Sequence, residues 1–272
     1  MPDLPNWSDE YREQRRMYAK CCQEFSELYE QHKHLVEHVE PNLTALYLKA
    51  IGFHQYEVLK LRMEIKLINM RIDLLRQYIN RDETPDIGEV NKVIDRQQEE
   101  YNELLRQRSE ALFNAEAFLS QPLIDKEEAL EIKRLYQAIV KAVHPDLNPD
   151  ATPDMIDAFR KATEYYNMGA LDQLRELYQY VVINQNYKKG YIPDVDLAEK
   201  ISFLQEKIET LKETIKKLHQ TFPYMYAENL EDQEWIDAQV QELEEEQKEL
   251  LARKKHLLEV VTLLEEYESQ DL

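Results

Sequence analysis

The sequence predicts an all-α fold. Only 4 of the 272 residues are glycine and 32% are charged, and Leu, Glu, Lys, Gln and Ala dominate, which is typical of long helices. Apolar residues recur three and four positions apart along several long stretches, and no alternating, strand-like stretch rises above that pattern. We therefore expect a helical core flanked by two long antiparallel coiled-coil hairpins.

The first predicted domain, residues 1–120, begins with a single helix at about residues 7–39. Ser8 is expected to start this helix, and Pro41 and Asn42 are expected to end it, with Asn42 capping the next one. The apolar residues of the helix lie near one another on its surface. They are Tyr18, Cys22, Phe25, Tyr29, Val36 and Val39.

A long helical hairpin completes this domain. One helix is expected to end near Ile79, the segment 81–88 forms a turn, and the next helix extends to Phe118. The three–four spacing of apolar residues is that of a coiled-coil seam, and a short turn favours antiparallel pairing of the two helices. The seam residues are Val58, Leu61, Ile65, Ile68, Ile72, Leu75 and Ile79, then Val90, Ile94, Gln97, Tyr101, Leu104, Arg108, Ala111, Ala115 and Phe118.

The second predicted domain, residues 121–184, places two helices around a polar loop at 144–150. Asp125 and Glu128 form a capping box at the first helix, and Pro145 disfavours helical geometry beyond Val143. Thr152 is expected to cap the second helix. Two antiparallel helices would present the loop at an exposed tip. The inward-facing residues are Ile132, Leu135, Tyr136, Ile139, Val140 and Val143, then Met155, Ile156, Phe159, Ala162 and Tyr166.

The third predicted domain, residues 185–272, follows a break at Gly169, a short helix at 171–183 and a linker at 184–193. We expect it to be the second coiled-coil hairpin. Its return helix is longer than the first helix of the hairpin, and the extra residues, 257–267, are expected to pack on the core or on the first helix of the chain. Its seam residues are Leu197, Ile201, Leu204, Ile208, Leu211, Ile215 and Leu218, then Ile236, Val240, Leu243, Gln247, Leu250, Lys254, Leu257, Val261 and Leu264.

The central segment resembles a J-domain, the module of DnaJ-type co-chaperones. The likeness covers about one fifth of the chain. It rests on the Ile-Lys-Arg-Leu-Tyr run at 132–136, the loop tripeptide His144-Pro145-Asp146, Asn148-Pro149 after it, and the second-helix residues at 159–161, 164 and 166. The tripeptide alone has little weight, but its place between two helices of the right pattern makes the resemblance specific.

The resemblance implies a binding partner and the residues that contact it. A J-domain binds a DnaK-type chaperone and promotes its ATP hydrolysis, and the resemblance assigns this contact to the loop residues His144, Pro145, Asp146 and Asn148. On the first helix, Lys133, Arg134 and Lys141 would form a basic face toward an acidic patch of that chaperone, or simply a solvated helix face. The coiled-coil arms would then bind a client or an adaptor protein.

Departures from the family pattern keep a second hypothesis open. Leu147 stands where the family usually has a basic residue, and Gln137 and Ala138 stand where it often has two. The zinc-binding Cys repeats and the Gly/Phe-rich linker of general DnaJ proteins are missing. The alternative is a structural or adaptor protein with a J-like core, no chaperone activity and protein-binding hairpins.

Aromatic residues at the turn of the third domain form a second candidate contact. Phe222, Tyr224, Met225 and Tyr226 surround Pro223. Exposed aromatic residues and Met suit adaptable protein contacts, while a hydrophobic plug within the hairpin turn is the alternative.

Composition and motifs argue against several other functions. The net charge of −20 disfavours nucleic acid as a general partner. No apolar run approaches the length of a membrane span, and the first residues lack the pattern of a secretion signal, so we expect a cytoplasmic protein. Short turns favour heptad pairing within one chain, hence a monomer.

The sequence also predicts no catalytic residue, cofactor or metal site. Phosphate-binding glycine loops, a serine nucleophile motif and a Cys–His pair are absent from the sequence. Cys21 and Cys22 are neighbours in a helix and cannot form an ordinary disulfide. His34 and His38 share a helix face, an arrangement that can hold a metal, and the alternative, which we favour, is that they are ordinary helix residues.

Overall fold

The computed structural model describes residues 9–120, 126–183 and 194–267. Within these ranges every regular element is helical and none is a strand, which confirms the all-α fold. The helices are α1 (Asp9–His34), α2 (Glu40–Tyr47), α3 (Phe53–Ile79), α4 (Ile87–Leu119), α5 (Lys126–Val143), α6 (Pro153–Asn167), α7 (Leu171–Tyr178), α8 (Asp194–Leu218) and α9 (Gln233–Glu265). The predicted capping residues Ser8 and Asp125 and the predicted linker at 184–193 lie outside the described ranges.

Helical residues continue through Pro41, where the sequence predicted a break. A π-helical turn, Leu35–Val39, lies just before it, and the Glu40 N–H donates to the Leu35 carbonyl five residues back. A proline inside an α-helix lacks a donor and crowds the carbonyl four residues earlier. The π-helical turn changes the bonding pattern at that point, so the helix continues and the predicted cap at Asn42 does not form.

The described chain divides into two compact units that combine distant segments. The first unit contains residues 9–41, 126–183 and 194–224, and the second contains residues 42–120 and 225–267. The sequence interpretation had divided the chain into three consecutive segments instead. Each unit is described separately below.

The core of the first unit is formed by α5, α6 and α7. Thr152 Oγ1 caps α6 by accepting from the Met155 N–H at 3.4 Å, and Gly169 ends that helix with a left-handed φ of 64°. These helices bury one apolar cluster, called the hairpin core. Its buried members are Ile132, Tyr136, Ile139, Val140, Val143, Met155, Ala158, Ala162, Tyr166, Leu174 and Val181.

Helix α8 packs along α1 within the first unit, whereas the sequence predicted that α8 and α9 form a hairpin. Lys212 of α8 lies 2.8 Å from Glu24 of α1, and farther along both segments Tyr224 donates to Glu40 at 3.4 Å. A contact farther along α8 thus lies farther along α1 as well, so the two helices run parallel. The heptad of α8 identified its buried face correctly but not its partner, because α1 carries an apolar stripe of its own.

The second unit contains the predicted antiparallel pair of α3 and α4. Arg71 donates to Asn91 at 2.6 Å, and Lys66, earlier in α3, lies over the ring of Tyr101, later in α4. The turn between them closes at Asp86, whose side chain accepts from the Glu89 N–H at 3.0 Å. The first predicted hairpin is therefore present.

Helix α9 packs parallel to α3. Ion pairs between the two helices advance in the same direction along both. They join Arg62 to Glu246, Glu64 to Lys254, and Arg71 to Glu265. Lys254, which interrupts the apolar seam of α9, thus faces a carboxylate of α3. Near the end of α9, where the sequence led us to expect packing on the core or the first helix, Val261 joins a cluster with Ile72, Leu75, Val90 and Ile94 of α3 and α4.

Among the described residues, none of the helices combines the length and apolar character needed to cross a membrane.

We expect Leu75→Ala to destabilise the second unit. Leu75 is fully buried where α3, α4 and α9 meet, and removing a buried leucine side chain costs about 2–5 kcal/mol. Denaturant unfolding measures the loss. Gln77→Ala, at an exposed position of the same helix, is the control and should change little. Equal effects of the two substitutions would contradict this packing of the second unit.

Candidate functional site

The His-Pro-Asp loop joins α5 to α6 and is closed by its own hydrogen bonds. The His144 carbonyl accepts from the backbone N–H of Leu147 at 3.0 Å and of Asn148 at 2.9 Å. The Asn148 side-chain amide donates to the same carbonyl at 3.0 Å, and its backbone N–H also reaches the Pro145 carbonyl at 3.1 Å. Asn148 therefore fixes the loop backbone.

The His144 ring is a buried part of the loop. It is 7% exposed and lies against the rings of Phe25, Tyr29 and Phe159, with centroids 5.0, 4.6 and 4.7 Å away. Its Nδ1 accepts from the Asp146 N–H at 3.0 Å, which places the proton of the neutral ring on Nε2. Burial lowers the pKa of His144 to about 4, while Asp146 acts to raise it and Lys207 to lower it.

Asp146 is the charged residue of the tripeptide, and its side chain is partly accessible to solvent. Its side chain is 32% exposed, and Oδ2 lies 3.5 Å from Nζ of Lys207 on α8. The carboxylate lines a cleft of about 280 Å³, together with Tyr18 of α1 and Phe203 and Leu204 of α8. Asp146 is thus partly accessible to solvent beside this cleft.

The structure contradicts in part the expectation that His144-Pro145-Asp146 forms an exposed tip, because His144 is buried whereas Pro145 and Asp146 are partly exposed. Leu147 is 4% exposed, and the Tyr18 hydroxyl donates to its carbonyl at 3.1 Å. Its side chain belongs to a second apolar cluster, called the loop-side cluster, which buries Leu147 because Leu147 and the stripe of α1 are both apolar. The members are Cys21, Cys22, Phe25, Leu147, Ile201, Leu204 and Ile208.

A buried carboxylate joins α1 to the hairpin core. Glu30 is 0% exposed. It accepts from the Tyr166 hydroxyl at 2.8 Å and the Gln137 side-chain amide at 3.1 Å, and it pairs with Lys133 at 3.1 Å. A buried carboxylate needs this number of donors to offset its desolvation. Gln137, one of the departures from the J-domain pattern, therefore has a role inside the chain.

The basic face predicted on α5 is partly occupied by α1. Lys133 pairs with Glu30, and Lys141 donates to the Gln23 side-chain carbonyl at 2.5 Å. Arg134 remains exposed. The structure thus brings the tripeptide, Lys133 and Lys141 to one side of the first unit, against α1.

The predicted aromatic tip does not form a single exposed surface. Tyr224, in the first unit, is 5% exposed and contacts His219 at 5.9 Å between ring centroids. Burial, with Glu40 beside it, raises the pKa of Tyr224 to about 12. Tyr226, in the second unit, packs on Tyr47 and Trp235. Phe222 and Met225 are about half exposed.

The remaining candidate residues serve packing. Cys21 and Cys22 are buried, and burial raises the pKa of the Cys21 thiol. The rings of His34 and His38 lie 5.5 Å apart, and burial lowers the pKa of both. Among the described residues, no group of three or more His, Cys, Asp or Glu side chains lies close enough to hold a metal ion.

Sequence reasoning missed the residues that cover the loop. Tyr18 and Phe25 come from α1, and Lys207 comes from α8, far from the loop in the chain. The available indication was an apolar Leu147 in a polar loop, together with the apolar stripe on α1.

No family model, curated protein or solved structure matches this chain. The J-domain resemblance therefore rests on the residues quoted above.

We expect Glu30→Ala to cost about 2 kcal/mol of unfolding free energy, because the buried Tyr166 hydroxyl and the Gln137 amide lose their acceptor. Denaturant unfolding monitored by tyrosine fluorescence measures the change. Glu27→Ala, at an exposed position on the same helix, is the control. A loss no larger than that of the control would show that Glu30 is not needed for docking α1.

We expect acid to destabilise the first unit through His144. Between pH 6.5, the ordinary histidine value, and about 4, the unfolded chain binds a proton that the folded chain excludes, so stability falls as pH falls. The loss should approach about 3 kcal/mol at pH 4. His144→Asn cannot titrate but keeps an acceptor, and it should lack this component of the pH dependence. Parallel pH profiles of unfolding free energy for the two proteins would contradict a buried, neutral His144.

Proposed function

We propose that this chain is a J-domain-like co-chaperone that binds a DnaK-type chaperone and stimulates its ATP hydrolysis. The observation that carries the proposal is the intact tripeptide His144-Pro145-Asp146 at the junction of two packed helices. Hydrolysis occurs in the partner, so the chain contributes a contact and no catalytic group.

The bonding of the loop supports Asp146 as the contact. Loop closure uses the ring and carbonyl of His144 and leaves the Asp146 carboxylate outside the backbone hydrogen bonds. The carboxylate instead pairs with Lys207 at 3.5 Å, and half-exposed ion pairs of this kind contribute about 0–1 kcal/mol. Such a pair can be exchanged for a cationic group of a partner at little cost.

Charge on α5 supports a role in association. The chain as a whole carries a net charge of −20, yet Lys133, Arg134 and Lys141 place positive charge along the helix that leads into the loop. Charges at the edge of an interface mainly set the association rate and its salt dependence. Arg134, the exposed member of the three, is the best placed to meet an acidic partner surface.

The second candidate function is a structural or adaptor role without chaperone activity. Leu147 and Gln137, two departures from the family pattern, are engaged by the loop-side cluster and by Glu30. Residues used in this way stabilise the chain itself and are not free for a chaperone. Under this alternative the helices of the second unit would carry the protein contacts, and a cytoplasmic location is proposed for either function.

We expect the purified full-length chain to accelerate single-turnover ATP hydrolysis by a DnaK-type chaperone, and Asp146→Asn to reduce this stimulation about tenfold or more, since a charged interface contact is lost. Asp150→Asn, at an exposed position in the same loop, is the matched control and should stimulate like wild type. A variant Asp146→Asn that stimulates as well as wild type would refute the role of the tripeptide.

A further inference from the structure

We infer that α8 is an autoinhibitory lid over the His-Pro-Asp loop, and that a DnaK-type chaperone engages the loop fully only after α8 has moved away from α1. This inference rests on the proposed function and adds a regulation of the same site.

The lid covers the groups that a partner would contact. Lys207 of α8 neutralises Asp146, while Ile201, Leu204 and Ile208 of α8 bury Leu147. A cleft of about 280 Å³ is what remains beside Asp146. A specific protein interface covers about 800 Å² on each partner, so such a cleft admits a few side chains and not a protein surface.

The lid can leave without dismantling the unit beneath it. The hairpin core draws its buried residues from α5, α6, α7 and the turn after α7, and none of its described members lies on α8. Helix α8 instead packs on α1 and on the loop through the loop-side cluster. Glu30 meanwhile ties α1 to Gln137 and Tyr166, independently of α8. Removing α8 would therefore uncover Asp146 and the side of Leu147 that faces α8, while α1 stays on His144 and the two-helix hairpin stays folded.

The polar contacts of α8 favour a separable lid. Lys207 with Asp146 and Lys212 with Glu24 are ion pairs between partly exposed side chains. Such pairs are weak and are screened by salt, so the apolar loop-side cluster supplies most of the attachment. A single charge placed in that cluster should release the helix.

The test compares Leu204→Asp with Gln205→Asp in the full-length chain. Leu204 is 1% exposed within the loop-side cluster, whereas its neighbour Gln205 is exposed, so the same charge is introduced once at a buried and once at an exposed position of α8. Hydrogen exchange of the amides at 144–150 reports whether the loop is uncovered, and exchange in α5 reports whether the hairpin stays folded. Single-turnover ATP hydrolysis by a DnaK-type chaperone reports function.

We expect Leu204→Asp to speed exchange in the loop and to stimulate hydrolysis about tenfold more than wild type at limiting concentration, because the competent fraction rises. Gln205→Asp should behave like wild type, and adding Asp146→Asn to Leu204→Asp should abolish the gain. If α5 also loses protection in Leu204→Asp, the milder Lys207→Glu, which repels Asp146, replaces it and should give a smaller gain in the same direction.

Other results overturn the inference in distinguishable ways. If hydrogen-exchange protection of the loop is unchanged in both Leu204→Asp and Lys207→Glu, α8 does not cover the loop. An uncovered loop with stimulation equal to wild type would refute autoinhibition and leave the proposed function standing. If the loop is uncovered and neither wild type nor any variant stimulates ATP hydrolysis, the proposed function is refuted, and the lid inference with it.

Discussion

The first unit depends on the docking of α1 against α5, and the buried carboxylate of Glu30 is the constraint that fixes it. A charge with 0% exposure is tolerable only where donors surround it, and Tyr166, Gln137 and Lys133 supply them from two different helices. With α1 held in this register, Phe25 and Tyr29 meet the His144 ring, and Tyr18 reaches the Leu147 carbonyl. The conformation and the burial of the loop both follow from this docking.

Local features of the fold could be predicted because their causes lie within a few residues. The α3–α4 turn, the end of α5 at Val143, the Thr152 cap and the break at Gly169 depend on turn and capping chemistry visible in the sequence. The π-helical turn before Pro41 escaped prediction because it reverses the usual effect of a proline. The pairing of distant helices could not be predicted either, because a heptad stripe specifies the buried face of a helix and not the second helix that covers that face.

The same limit applies to the candidate site. The tripeptide and its place between two helices were visible in the sequence, whereas its burial depends on α1 and α8, which come from distant positions in the chain. Leu147 connects the sequence of the loop with its contacts to α1 and α8. As a departure from the J-domain pattern it looked like a defect in a binding loop, and in the structure it is an anchor for a second apolar cluster. A residue that departs from a family pattern can thus mark a contact made within the chain itself.

The order of segments in the first unit also has a consequence for synthesis. Helices α1, α5 and α6 and the loop between the last two all precede α8 in the chain. A ribosome therefore completes the His-Pro-Asp hairpin before the helix that covers it exists, and domains generally begin to fold as their segments emerge. During that interval of translation, the loop of a nascent chain lacks the contacts that Lys207 and Leu204 of α8 supply beside Asp146 and Leu147 in the finished chain.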